Sequence, residues 1–150
     1  MWSDALLHER HAWFGRVLAL LVPRARRLGD FAIQAAPFLG PVESYDQAAI
    51  AKHLAAPGMA AHVSALADAY RGVEPFDEAT SESVLRSVAD QAGIKFGALV
   101  HATRIAVTGR AVSPGLFETL VLIGRDHVVA RLESLARFLT ERRGAVAEGA

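Results

Sequence analysis

The chain contains no cysteine, which excludes disulfides and thiolate metal sites and fits a reducing compartment. No apolar run is long enough to cross a bilayer; the longest, residues 17–22, stops at Pro23. Asp4, Glu9 and Arg10 interrupt the N-terminus, so no secretory pattern is present and the expected location is the cytoplasm. Aromatic residues make up only 7% of the chain, and Trp2, Trp13, Phe14, Phe31 and Phe38 fit core packing better than a base-stacking platform. A glycine-rich phosphate loop and a nucleophile–base pairing are both missing, which leaves a small-molecule enzyme without support. Net charge is also missing: 16 basic and 16 acidic residues cancel, which argues against a uniformly basic nucleic-acid binder.

What is present is a globular composition, 52% hydrophobic and 21% charged over 150 residues, enough for one domain with a real core. The charge is unevenly placed. Residues 1–42 carry net +2, residues 43–82 net −5, and residues 83–143 net +4. Such asymmetry suits a protein that meets RNA on one side only.

Hydrophobic periodicity and breakers predict an all-α fold of about eight helices, a helical cage or bundle. The first helix spans 3–22, with Ser3 as N-cap and Pro23 at its end. A second spans 28–36 and stops at Pro37. A third follows Ser44 and is broken by Pro57 and Gly58. The fourth covers 59–70 and the fifth 78–92, closed by Gly72 and Gly93. The last, 126–143, places Val128, Leu132, Leu135 and Leu139 on one stripe. The expected domain is 1–143, with helical subdomains 1–72 and 73–143 and a fraying tail at 144–150.

Between the fifth and last helices lies the stretch that organises the chain. Phe96, Leu99, Val100, Thr103 and Val107 recur at helical spacing, and Gly109 sits where that helix stops. Ser113, Pro114 and Gly115 then open the next one, with Ser113 as N-cap, Pro114 at the first helical position and Gly115 leaving the surface bare. A bare helix N-terminus presents unpaired N–H groups to a phosphate or a base edge. Arg104 precedes this elbow and Arg110 lies within it. A guanidinium in an apolar run must face water or a partner; Glu118 and Asp126 are the candidate internal partners.

The segments Gly93-Ile94-Lys95, Thr103 to Gly109, Ser113 to Glu118, Ile123-Gly124-Arg125 and Ala130-Arg131-Leu132 strongly resemble the C-terminal end of bacterial glutamyl-tRNA synthetases, which are class I aminoacyl-tRNA synthetases. Upstream, Pro23-Arg24-Ala25, Leu28 and the turn from Ala36 to Phe38 resemble the earlier anticodon-binding segment of that family. Its ATP-binding and glutamate-activating signatures, His-Ile-Gly-His and Lys-Met-Ser-Lys-Ser, are not found, so the chain is similar to the anticodon-reading part without the catalytic part.

The resemblance implies that Arg104 hydrogen-bonds an anticodon base, offering a planar fork that Lys cannot copy. It implies that Ser113, Pro114 and Leu116 read and pack against the middle base, and that Arg86 is a further anticodon contact, against a plain ion pair with Glu82 or Asp90. Arg24, Arg26 and Arg27 are expected near the anticodon stem-loop and its third base. Lys95, Arg110, Arg125 and Arg131 are expected phosphate contacts. The implied partners are glutamate tRNA, through its anticodon loop, and the catalytic domain of the parent enzyme, with the domain monomeric and free of cofactor and membrane.

His8 and His11 are three apart, not the four a zinc-protease helix requires, so the metal reading is refused. His101 stands where the family pattern has a neutral polar residue. The rival reading is a free-standing helical paralogue that binds a protein through an apolar patch at Trp2, Leu6 and Trp13.

Overall fold

The computed structural model describes the backbone of residues 4–24 and 26–148, and the side chains of these except 4–7, 24, 28 and 143–148. All regular structure among the described residues is helical. The helices are α1 (Asp4–Leu21), α2 (Leu28–Leu39), α3 (Gln47–His53), α4 (Met59–Arg71), α5 (Glu78–Ala92), α6 (Phe96–Thr108), α7 (Leu116–Ile123) and α8 (Arg125–Glu148), with a 3-10 turn at Val22–Arg24. None of them is long and apolar enough to cross a membrane.

Two compact units result, Met1–Pro41 and Val42–Ala150. The boundary falls earlier than the one expected after residue 72. The reason is that α3 and α4 pack on α6 and α8, so their apolar faces belong to the C-terminal core. In the first unit α1 packs on α2, with Val17, Leu21 and Ala35 buried. Here α2 runs through Pro37 to Leu39 instead of stopping before it. A proline in the last turn forfeits one backbone bond, to the Ile33 carbonyl, and the turn still closes through the Gly40 N–H on the Ala36 carbonyl at 3.0 Å. Of the suggested docking patch, Trp2 and Leu6 lie outside the described side chains and Trp13 is half-buried.

In the second unit α8 is the spine, with α4 lying along it. The expected stripe Val128, Leu132, Leu135 and Leu139 is buried, each side chain contributing roughly 1.5–3 kcal/mol of transfer free energy. The α8 backbone continues to Glu148, past the end expected at Arg143. Facing it, α4 buries Met59, Val63, Leu66, Ala67 and Tyr70. Asp77 and Thr80 form a reciprocal capping box that starts α5. The Tyr70 hydroxyl donates to the Ser81 carbonyl at 2.9 Å, and its ring meets Phe76 edge-on. Burial pushes the Tyr70 hydroxyl well above the usual phenol range.

Candidate nucleic-acid interface

The outer face of α6 is set by what its inner face buries. Leu99, Ala102, Thr103, Ile105, Ala106 and Val107 are all buried, and the Thr103 hydroxyl is tied back to the Leu99 carbonyl at 2.7 Å. The remaining stripe, at helical spacing, is Gly97, Val100, His101, Arg104 and Thr108, all exposed or half-buried. Arg104 therefore reaches the surface because its neighbours at 103, 105, 106 and 107 fill the core.

The elbow begins as expected at Gly109, which closes α6 in the left-handed conformation with φ 78°. A Cβ there would lie 2.5 Å from the Ser44 carbonyl oxygen, and the Asp46 N–H donates to the Gly109 carbonyl at 2.8 Å. Positive φ and backbone contact together leave room for glycine only. The Thr108 hydroxyl donates to the Arg104 carbonyl at 2.7 Å and accepts from the Arg110 N–H at 3.2 Å, which locks the first residues of the turn.

The start of α7 departs from the expectation. The helix begins at Leu116 with Gly115 as its N-cap and no side-chain cap, so Ser113 and Pro114 precede the helix. The Ser113 hydroxyl instead accepts from Arg104 Nε at 2.9 Å and donates to the Pro114 carbonyl at 2.8 Å. This bond fixes the plane of the guanidinium. Pro114 is buried and Leu116 is only 4% exposed; both support the elbow from inside. The α7 N-terminus is not bare either. A Cβ on Gly115 would lie 3.3 Å from the Glu118 carboxylate, which stands over the first turn and complements the positive end of the helix. A phosphate there would meet a carboxylate. Asp126 accepts from Arg125 Nε at 3.3 Å.

Arg86 pairs with Glu82 at 2.9 Å, the i,i+4 pair foreseen as its plain reading. It also lies over the Phe96 ring, 4.1 Å from its centroid, and Phe96 stacks on Phe117 at 6.3 Å. A cation–π and ring-stacking ladder thus links Arg86 to the first turn of α7. Sequence reasoning missed it because Phe96 read as an ordinary apolar-face residue of α6, and nothing in the sequence shows that Phe117 of the next helix meets its ring.

The expected phosphate contacts divide. Lys95 and Arg110 are exposed. Arg125 Nη1 donates to the Val73 carbonyl at 3.2 Å, bracing the α4–α5 connection. Arg131 Nη1 donates to the Val107 carbonyl at 2.7 Å, closing an open carbonyl in the last turn of α6; desolvation lowers its pKa. Both are held by the protein's own backbone. Arg26 and Arg27 are exposed in the Met1–Pro41 unit, and the Arg24 side chain lies outside the described residues.

On the other side of Arg104, the His101 and His53 rings stack with centroids 4.2 Å apart and planes at 20°. The His101 pKa is lowered, first by desolvation and then by His53, Arg104 and Lys52. The i,i+3 spacing of His101 and Arg104 was visible in the sequence, whereas the approach of His53 was not.

Comparison with known proteins places this chain in a family. The family described as "Anticodon binding domain" matches residues 2–136. A glutamate–tRNA ligase of Moorella thermoacetica is 35% identical over 138 residues, covering 92% of this chain and 28% of that protein. Glutamate–tRNA ligase 2 of Koribacter versatilis is 38% identical over 115 residues, covering 77% and 24%. A solved glutamate tRNA ligase from Elizabethkingia meningosepticum superposes with TM-score 0.76 at 19% identity, over 93% of this chain and 26% of that one. The chain thus spans about a quarter of the length of these relatives. It belongs to the anticodon-binding domain family found in glutamate–tRNA ligases.

Proposed function

We propose that this domain recognises the anticodon loop of a glutamate tRNA, with Arg104 as its principal base contact. The observation that carries the reading is the bond from Arg104 Nε to Ser113 at 2.9 Å, which presents an oriented guanidinium on the outer face of α6 beside the elbow. An oriented planar fork suits a base edge, and its face can stack on an unpaired base. Ser113 positions the fork, while Pro114 and Leu116 brace the turn beneath it. Arg86, with the Phe96–Phe117 ladder, and the exposed Lys95 and Arg110 supply flanking contacts. Arg24, Arg26 and Arg27 supply a further basic segment toward the stem-loop.

In this reading the domain acts as a monomer in the cytoplasm and holds the tRNA for the ATP-dependent ligation of glutamate by a catalytic domain. Fluorescence anisotropy with a glutamate-tRNA anticodon stem-loop tests it. Arg104→Ala is expected to weaken binding by about 1–3 kcal/mol, the scale of a good base contact. Equal affinity of wild type and variant would remove the assignment.

A second reading, a protein-docking role for the Met1–Pro41 unit, is favoured by the exposure of Phe14, Val22, Ile33 and Leu39, at 41%, 59%, 45% and 62%. Light scattering over a concentration series tests it, self-association being the expected sign of an uncovered apolar face.

A further inference from the structure

The elbow exposes an apolar side chain that the anticodon reading leaves unused. Among the described residues of the Val42–Ala150 unit, Val112 is the one exposed large hydrophobic, at 81% exposure. A single surface valine is ordinary; the place of this one is not. Pro114 and Leu116, which the family resemblance sets against the middle base, are buried and leave a base little apolar surface to lie on. Val112 is the large apolar side chain that the same turn does expose. Along the backbone it adjoins Ser113, with Cα atoms about 3.8 Å apart, and the Ser113 hydroxyl accepts from Arg104 Nε. The turn is fixed on both sides of the valine. Before it, the Thr108 hydroxyl accepts from the Arg110 N–H. After it, the Ser113 hydroxyl donates to the Pro114 carbonyl. A β-branched side chain is also stiff at χ1, so little freedom is lost when a ligand covers it.

We infer that Val112 is the apolar contact for the face of an unpaired anticodon-loop base held beside the Arg104–Ser113 clasp. The inference rests on the anticodon reading and deepens it by naming the side chain that covers the base. Size favours a nucleotide as the occupant. A stable protein partner needs about 800 Å² of surface on each side, whereas this turn exposes one large apolar side chain, enough for the face of one base. Charge favours it too. The valine stands between the exposed Arg110 and the residue that holds the Arg104 guanidinium, which suits a ligand whose apolar ring is tied to an anionic backbone. An unpaired base offers an edge of donors and acceptors and a face that avoids water. An arginine fork fits the first, and an aliphatic side chain fits the second. Burying the exposed methyl groups of Val112 against that face removes apolar surface from water on both partners.

The test is anisotropy of the domain with the intact anticodon stem-loop and with loops made abasic at each anticodon position in turn. Val112→Ala is expected to weaken binding of the intact loop by about three- to tenfold. At the one abasic position whose base Val112 covers, wild type and variant are expected to bind alike, while the loss persists at the other positions. Val112→Thr keeps the branched shape but replaces a methyl by a hydroxyl, and it is expected to show part of the same loss. The side chain lies in solvent in the free domain, so both variants are expected to keep the wild-type urea midpoint. Equal affinity of wild type and Val112→Ala for the intact loop overturns the contact and leaves the anticodon reading standing. A loss that persists at every abasic position overturns it as well, because the side chain then meets no base. Full affinity in Val112→Thr shows that the contact is not apolar and overturns it, and so does a urea midpoint that falls in step with affinity. No binding of the stem-loop by wild type overturns the anticodon reading itself, and this contact with it.

Discussion

The corner between α4 and α5 and the elbow between α6 and α7 both turn the chain between packed helices, but by different means. The corner consumes its own polar groups: Asp77 and Thr80 cap each other, Tyr70 reaches Ser81, and Arg125 serves the Val73 carbonyl. Gly72 sits there at φ −100° with nothing close to its Cβ position. The elbow is instead clamped through backbone at Gly109 and holds an arginine outward on a serine hydroxyl. A corner that satisfies itself stabilises the fold. A turn that fixes an outward guanidinium also has something to offer a partner.

The largest effect that separates the two turns is expected at their glycines. Gly109→Val combines a left-handed φ with a backbone clash and is expected to lower stability by about 3 kcal/mol, seen as a shift in urea midpoint. Gly72→Ala is expected to be neutral or slightly stabilising, by about 0.5 kcal/mol. A similar loss at both sites would erase the contrast.

Next in size is Arg131→Met, which leaves the Val107 carbonyl without its charged donor. It is expected to cost about 2 kcal/mol of stability and to leave RNA affinity unchanged, the reverse of Arg104→Ala. Tyr70→Phe removes the hydroxyl's buried bond to the Ser81 carbonyl and is expected to cost about 1 kcal/mol, again without effect on RNA binding.

The smallest effect concerns the Asp77 carboxyl, held below its ordinary 3.8 first by its backbone and side-chain hydrogen bonds with Thr80. A depressed carboxyl stabilises the fold above its unfolded value, and that contribution is lost as pH falls through the lower folded value. Melting temperatures of wild type and Asp77→Asn are therefore expected to converge below about pH 3.8. A gap that persists at lower pH would show that the cap works without its charge.

Local chemistry was legible in the sequence: the Gly109 and Gly93 helix ends, the core stripe of α8, and the surfacing of Arg104 from an apolar run. Positions where a local rule met tertiary structure were not. Pro37 was read as a stop because a proline forfeits a backbone bond, yet the last turn tolerates that loss. Ser113 was read as an N-cap because serine favours that role, but a guanidinium from α6 claims its hydroxyl. The partners of Arg125 and Arg131, 52 and 24 residues away, are carbonyls, and a carbonyl carries no residue identity for a reader of sequence. The His53–His101 stack likewise depends on how α3 docks on α6.

The central claim is that the clasped Arg104 reads a base rather than merely attracting RNA. A cycle pairing wild type, Arg104→Ala and Arg104→Lys with anticodon stem-loops altered at each anticodon base in turn tests it directly. Wild type is expected to lose about 1–3 kcal/mol of binding at one altered position, with both variants losing that discrimination because a lysine cannot reproduce the planar fork. Discrimination retained in full by Arg104→Ala, with only a uniform drop in affinity, would contradict the account.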